Sequence, residues 1–208
     1  LLSTVLFSKE LITPIPLDIN VNIEKAKLGE RLFNDTRLSK DNTISCASCH
    51  ILKEGGDDNL AVSIGIEGQK GTRNAPTVLN SRFNANQFWD GRAKDLVEQA
   101  EGPIHNPIEM GSNFKEVISK LKKDKKYISQ FSSLYSNGIT GKNITDAIVE
   151  FENTLITPDA KFDKFLRGDL ESLSSDEHKG YQLFKEYGCI SCHNGINIGG
   201  NLMQKIGV

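Results

Sequence analysis

No run of about 18 apolar residues occurs in this 208-residue sequence, so no segment reads as a membrane-spanning helix. An excess of one charge is also missing. Against 25 Lys and Arg stand 27 Asp and Glu, a net charge of -2 that offers no general argument for a nucleic-acid partner. Strand-like alternation is scarce, which points to a mainly α chain. Residues Leu1-Leu2-Ser3-Thr4-Val5-Leu6-Phe7 are apolar but lack a basic n-region and a small-residue cleavage site. They read as the start of a mature chain, not as an intact signal peptide. Cysteine is sparse too, with four in all.

Those four are used twice over in one motif: Cys46-Ala47-Ser48-Cys49-His50 and Cys189-Ile190-Ser191-Cys192-His193. C-x-x-C-H is the attachment signature of a c-type haem. Two thiols three residues apart reach the two vinyl groups on one porphyrin edge, and the adjacent imidazole lies where the iron takes its proximal ligand. Two disulfides fit less well, because a bridge within C-x-x-C is usually redox-active and has no need of the histidine. Zinc fits less well too, since paired C-x-x-C ligands are typically roughly 12–20 residues apart. The reading is two covalent haem c groups, with His50 and His193 as iron ligands. Haem c is attached outside the cytoplasm, so the expected location is a bacterial periplasm.

Length allows two small domains, each built around its own porphyrin, placed at residues 1–157 and 158–208 and joined by a short linker. Residues 8–22, with Pro14 and Pro16, read as an irregular lead-in. Helical spacing predicts a helix over Ile23 to Phe33, with Ala26, Leu28, Leu32 and Phe33 as core. Gly29-x-x-Leu32-Phe33 and Gly180-x-x-Leu183-Phe184 form a weak repeat ahead of the two motifs. Glycine inside a helix costs about 1 kcal/mol relative to alanine, so each glycine suggests close packing. From Lys53 to Asn113 the composition predicts mostly loop with short helices, ordered by Phe83, Phe88 and Trp89. Helices are expected again at Phe114–Leu121, at Tyr127–Leu134 and from Ile144 through Leu155 up to Pro158. Ser174-x-x-Glu177 is a capping box. The basic run Lys120, Lys122, Lys123, Lys125 and Lys126 reads as a solvated helix end.

The middle of the chain carries more than haem attachment. Gly71-Thr72-Arg73-Asn74-Ala75-Pro76-Thr77, Gln87-Phe88-Trp89-Asp90-Gly91-Arg92-Ala93, Gln99, and Gly102-Pro103-Ile104-His105-Asn106-Pro107-Ile108-Glu109-Met110-Gly111 closely resemble the bacterial dihaem cytochrome c peroxidases. His193-Asn194-Gly195 and Gly199-Gly200 do so as well. The resemblance runs from about residue 23 to the end of the sequence, and MauG-type enzymes share much of it. It implies two cytochrome c-like haem domains, with long ordered loops around the first, peroxidatic haem. Glu109 and Gln99 then match residues of that haem's distal pocket, Trp89 the tryptophan between the haems, and Asn74 a ligand of a calcium ion. Each has a plainer reading: Trp89 as core, Glu109 as a surface carboxylate, Gln99 as a partner for nearby backbone, Asn74 as a turn residue before Pro76.

The implied reaction is reduction of hydrogen peroxide to water, with electrons from a small cytochrome c or cupredoxin and with room for a homodimer. One carboxylate can move a proton from one peroxide oxygen to the other. A dihaem electron carrier without peroxide chemistry and a MauG-like oxidase are the alternatives. Two departures from the family pattern stand out. The sequence stops at Val208, before the segment that carries the family's methionine ligand to the second haem, so a longer protein is expected; Met203 reads as packing. Ile66 stands where the family commonly has a histidine that caps the first iron in the oxidised state. The remaining histidines, His105 and His178, read as structural.

Overall fold

The computed structural model describes residues 10–205; the reading of residues 1–7 falls outside them. The described chain is helical, with isolated bridges and no strand. Eight α-helices follow in order: α1 (Ile23–Phe33), α2 (Cys46–Cys49), α3 (Leu96–His105), α4 (Phe114–Leu121), α5 (Lys125–Leu134), α6 (Gly141–Glu152), α7 (Lys161–Leu166) and α8 (Ser175–Glu186). Residues 19–156 form one compact unit; residues 157–205 form another together with residues 10–18.

In the larger unit the frame is α1 against α6. Helix α1 starts where Asn22 accepts the amide of Lys25, and it buries Ala26, Leu28, Leu32 and Phe33. Helix α6 starts at the Thr140 cap and buries Ile144, Ala147, Ile148 and Phe151. Gly29 lies at the crossing: a Cβ there would stand 1.8 Å from the Ala147 carbonyl oxygen. Gly180 has no such neighbour among the described residues. The repeat therefore marks a helix contact in its first copy only. Tyr127, Phe131, Val117 and Leu121 complete a core with no solvent exposure. Tyr127 Oη donates to Asp35 at 2.7 Å, and the guanidinium of Arg31 lies 3.9 Å from the Tyr127 ring centroid.

Three expectations change. Helix α6 stops at Glu152, with Asn153 as its cap and Leu155 in the following turn, so its last apolar residue lies beyond the helix. The stretch 53–113 holds a full helix, α3, opened by Asp95 accepting the amide of Glu98 at 2.9 Å. It continues through Pro103 in its last turn, although proline offers no N–H to the carbonyl four residues back. The third concerns residues 10–18, counted with the first domain on sequence but packed here with the second unit. Lacking a periodicity of its own, the lead-in takes its partners there: the amide of Ile15 donates to buried Asp163 at 2.8 Å, and Arg167 donates to the Ile15 carbonyl at 3.0 Å. The basic run behaves as a helix end. Lys120 donates to the carbonyls of Ser39 and Lys40, and Lys122, Lys123, Lys125 and Lys126 are exposed.

Candidate functional site

The two C-x-x-C-H segments fold alike. In the first, Cys46 and Cys49 open and close α2, and the His50 amide donates to the Cys46 carbonyl at 3.0 Å. In the second, the His193 amide donates to the Cys189 carbonyl at 2.9 Å. His50 Nδ1 lies 3.1 Å from the carbonyl oxygen of Gly56, and His193 Nδ1 lies 3.2 Å from that of Ile198. A carbonyl only accepts, so Nδ1 carries the proton in both rings and Nε2 keeps its lone pair. Phe33 stands 6.3 Å from the His50 ring and Phe184 stands 6.2 Å from the His193 ring, so the sequence repeat has a structural counterpart.

This donor set fits covalent haem. All four cysteines are free thiols. Burial pushes Cys46 up to about 12, with the Glu152 carboxylate adding to the effect, and burial also raises Cys49. Thiolate metal sites and redox C-x-x-C pairs have lowered values, so these sulfurs suit thioether bonds better. Burial lowers His50, which keeps its imidazole neutral and able to ligate.

Next to the first motif lies a carboxylate. Glu109 sits in the turn after α3, and its charge is close enough to raise the Cys49 thiol. Burial raises Glu109 itself, while Asn106 and Arg92 oppose the shift. A cavity of about 320 Å³ is lined by Phe88, Arg92, Ala93, Glu98, Gly102, Pro103, Asn106 and Glu109. Its outer wall is the Q-F-W-D-G-R-A loop, closed by the Gln87 amide donating to the Ala93 carbonyl at 2.7 Å. Phe88 adopts a left-handed φ of 65°, a strained backbone that concentrates at functional sites. The turn it makes lays the Arg92 guanidinium 3.5 Å from the Phe88 ring centroid.

The site residues expected from sequence are brought together unevenly. Gln99 is half-buried on α3, and its neighbour Glu98 lines the cavity in its place. Trp89 is 56% exposed, so it is no core residue of this unit. Its Nε1 donates to the Asn74 carbonyl at 3.0 Å, and Arg73 pairs with Asp90 at 3.2 Å, so blocks 71–77 and 87–93 form one surface. Asn74 also borders a polar cleft with Asp57, Asp58 and Asn59. Sequence reasoning gave no role to Asn106 or Arg92. The only signal for Asn106 was an Asn-Pro turn with a carboxylate three residues on.

A helical framework with two carbonyl-held C-x-x-C-H turns defines a protein built for c-type haem. The di-haem cytochrome c peroxidase profile matches residues 23–171, and the chain belongs to that family. It is 52% identical over 200 residues to cytochrome c peroxidase Ccp of Escherichia coli, covering 96% of this chain and 43% of that protein. It is 50% identical over 205 residues to the cytochrome c551 peroxidase of Nitrosomonas europaea, covering 98% of this chain and 61% of the relative. The methylamine utilization protein MauG of Methylophilus methylotrophus is 32% identical over 199 residues, 94% of this chain and 59% of that one. Among solved structures, a MauG-like protein associated with microbial copper homeostasis superimposes with a TM-score of 0.78 at 29% identity, over 95% of this chain and 61% of its own. The chain thus spans about half the length of the curated relatives it matches.

Proposed function

We propose that this chain is part of a periplasmic dihaem c-type peroxidase. It reduces hydrogen peroxide to water with two electrons, drawn from a small cytochrome c or cupredoxin. The observation that carries this reading is Glu109, a carboxylate beside the first haem-attachment turn on the wall of a cavity. Cys46, Cys49 and His50 would hold the haem whose iron supplies the redox chemistry with peroxide; Cys189, Cys192 and His193 would hold the second, electron-transferring group. The two units are the two haem domains.

Each protein group then has a task. Glu109 accepts the proton from one peroxide oxygen and returns it to the other, so that the O–O bond breaks with water leaving. Burial raises this carboxyl toward the working pH, which suits a group that must both take and give a proton. Arg92 opposes that shift and favours the ionised form in which Glu109 begins the cycle. By the family resemblance Gln99 donates a hydrogen bond to peroxide, and Trp89 corresponds to the tryptophan between the haems. The polar cleft at Asn74, Asp57 and Asp58 offers oxygen ligands of the kind calcium takes.

The nearer relatives are peroxidases and the MauG protein is more distant, which favours peroxide reduction over oxidation of a protein substrate. The test is peroxide-dependent oxidation of a reduced small cytochrome by the full-length, haem-loaded protein. Two haems in the intact mass together with steady turnover are expected. Two haems without peroxide-dependent turnover would leave an electron carrier.

A further inference from the structure

The turn that presents Glu109 also holds an amide side chain bonded to it. Asn106 Nδ2 donates to Glu109 Oε1 at 2.7 Å, and Asn106 Oδ1 accepts the amide of Ile108 at 3.0 Å. Only one orientation of the Asn106 amide satisfies both contacts, because a carboxylate accepts and a backbone N–H donates. The backbone is fixed on both sides as well. The Asn106 carbonyl accepts the amides of Glu109 and Gly111, and the amide of Ile66 donates to the Glu109 carbonyl.

We propose that Asn106 is a positioning residue: it occupies one oxygen of Glu109 so that the other, Oε2, is the atom that exchanges protons with substrate. The inference rests on the proton-carrying role of Glu109 proposed above. A carboxylate free to rotate would present either oxygen at varying angles. One clamped at Oε1 presents a single lone pair in a fixed place, and proton transfer depends on such geometry. The clamp also stabilises the ionised carboxylate, so losing it moves the pH at which Glu109 charges upward. The other charged groups about this turn are Arg92 and Glu98 on the cavity wall, Glu67 and Lys70 in the loop that pairs with it, and Lys40, whose amide donates to the Met110 carbonyl.

Three variants of the full-length, haem-loaded protein test this. In Asn106→Ala, kcat should fall about 10–100-fold, the range for a hydrogen bond to a charged group, with KM for peroxide little changed. The acid limb of the rate profile should move to higher pH. Asn106→Asp keeps the acceptor for Ile108 but sets a like charge against Glu109, so it should fold normally and move the limb further. A readout apart from turnover is the infrared carboxyl band that disappears in Glu109→Gln; its titration midpoint should rise in both Asn106 variants. If Glu109→Gln abolishes turnover while both Asn106 variants keep the parent profile and band midpoint, the positioning role is wrong. If Glu109→Gln itself turns over normally, the role of Glu109 fails first.

Discussion

The amide of Ile66 donates to the carbonyl of Glu109 at 2.9 Å, which ties the 63–71 loop to the backbone of the proposed proton carrier. Ile66 is buried, and its Cδ1 fills the space beside Gly111, where an added Cβ would meet it at 2.4 Å. Gly65 is equally confined, its hypothetical Cβ standing 1.9 Å from the Ile108 carbonyl oxygen. The loop is fitted closely against the 106–111 turn.

Ile66 offers no lone pair to iron, and the nearest alternative, His105, packs edge-on against Phe114 with ring centroids 5.0 Å apart. The first haem of the all-ferric protein is therefore expected to lack a second histidine ligand and to give a high-spin electron paramagnetic resonance signal. Turnover should begin without pre-reduction of the second haem. Two low-spin signals, with activity only after reduction, would show that another side chain has taken the sixth position.

Glu109→Gln should retain both haems and the fold and lose about 10²–10⁴-fold in peroxidase turnover, the usual scale for a general acid–base group. Stopped-flow mixing with peroxide at saturating donor measures it. Parent-like turnover with saturating peroxide would remove Glu109 from the reaction.

Gly29→Ala should unfold the larger unit at lower temperature. The new methyl would stand 2.8 Å from the Phe151 Cβ as well as 1.8 Å from the Ala147 carbonyl oxygen, and backbone has to move to admit it. Overpacking of that kind costs about 1–3 kcal/mol or more, beyond what alanine returns in helix propensity. A fall of several degrees in the thermal midpoint is expected, and an unchanged midpoint would mean that α1 and α6 do not cross at Gly29.

Glu152 gives a pH signature. It is buried, its Oε2 has no hydrogen-bond partner, and desolvation raises its carboxyl from 4.5 to about 8. The folded state binds this proton more tightly than the unfolded chain does. The resulting stability is complete below about pH 4.5 and is lost as pH rises through 8, a change of the order of 3–5 kcal/mol. Glu152→Gln should remove that slope. Thermal midpoints of the two proteins between pH 5 and 9 should diverge as pH rises, the variant ending higher; parallel curves would refute the assignment.

Sequence alone exposed the parts of this protein whose physics is local. Helix α1 was readable because Asn22 caps an apolar stripe, and the haem turns because thiol spacing and the next imidazole are set by covalent reach. Helix α3 was hidden because Gly102 and Pro103 disguise its last turn, while the Asp95 cap that starts it is a single side-chain contact. Glu109 stands out only through the likeness of its neighbours to the family pattern. Arg92 and Asn106 could not be ranked, since one depends on the left-handed turn at Phe88 and the other on how the 106–111 turn closes. The placement of residues 10–18 depends on partners far along the chain.

That last feature bears on how the protein is made. The amide of Ile15 and its acceptor Asp163 are 148 positions apart, and Ile12 pairs with Gly195. As the chain folds, residues 10–18 meet these partners only by closing a loop of that length. The 19–156 unit needs neither partner and closes on its own α1 and α6, whereas a loop of that length is slow to close and costs entropy. Until that loop closes, the second haem turn lies in a half-built unit, reachable by whatever machinery joins haem to its thiols.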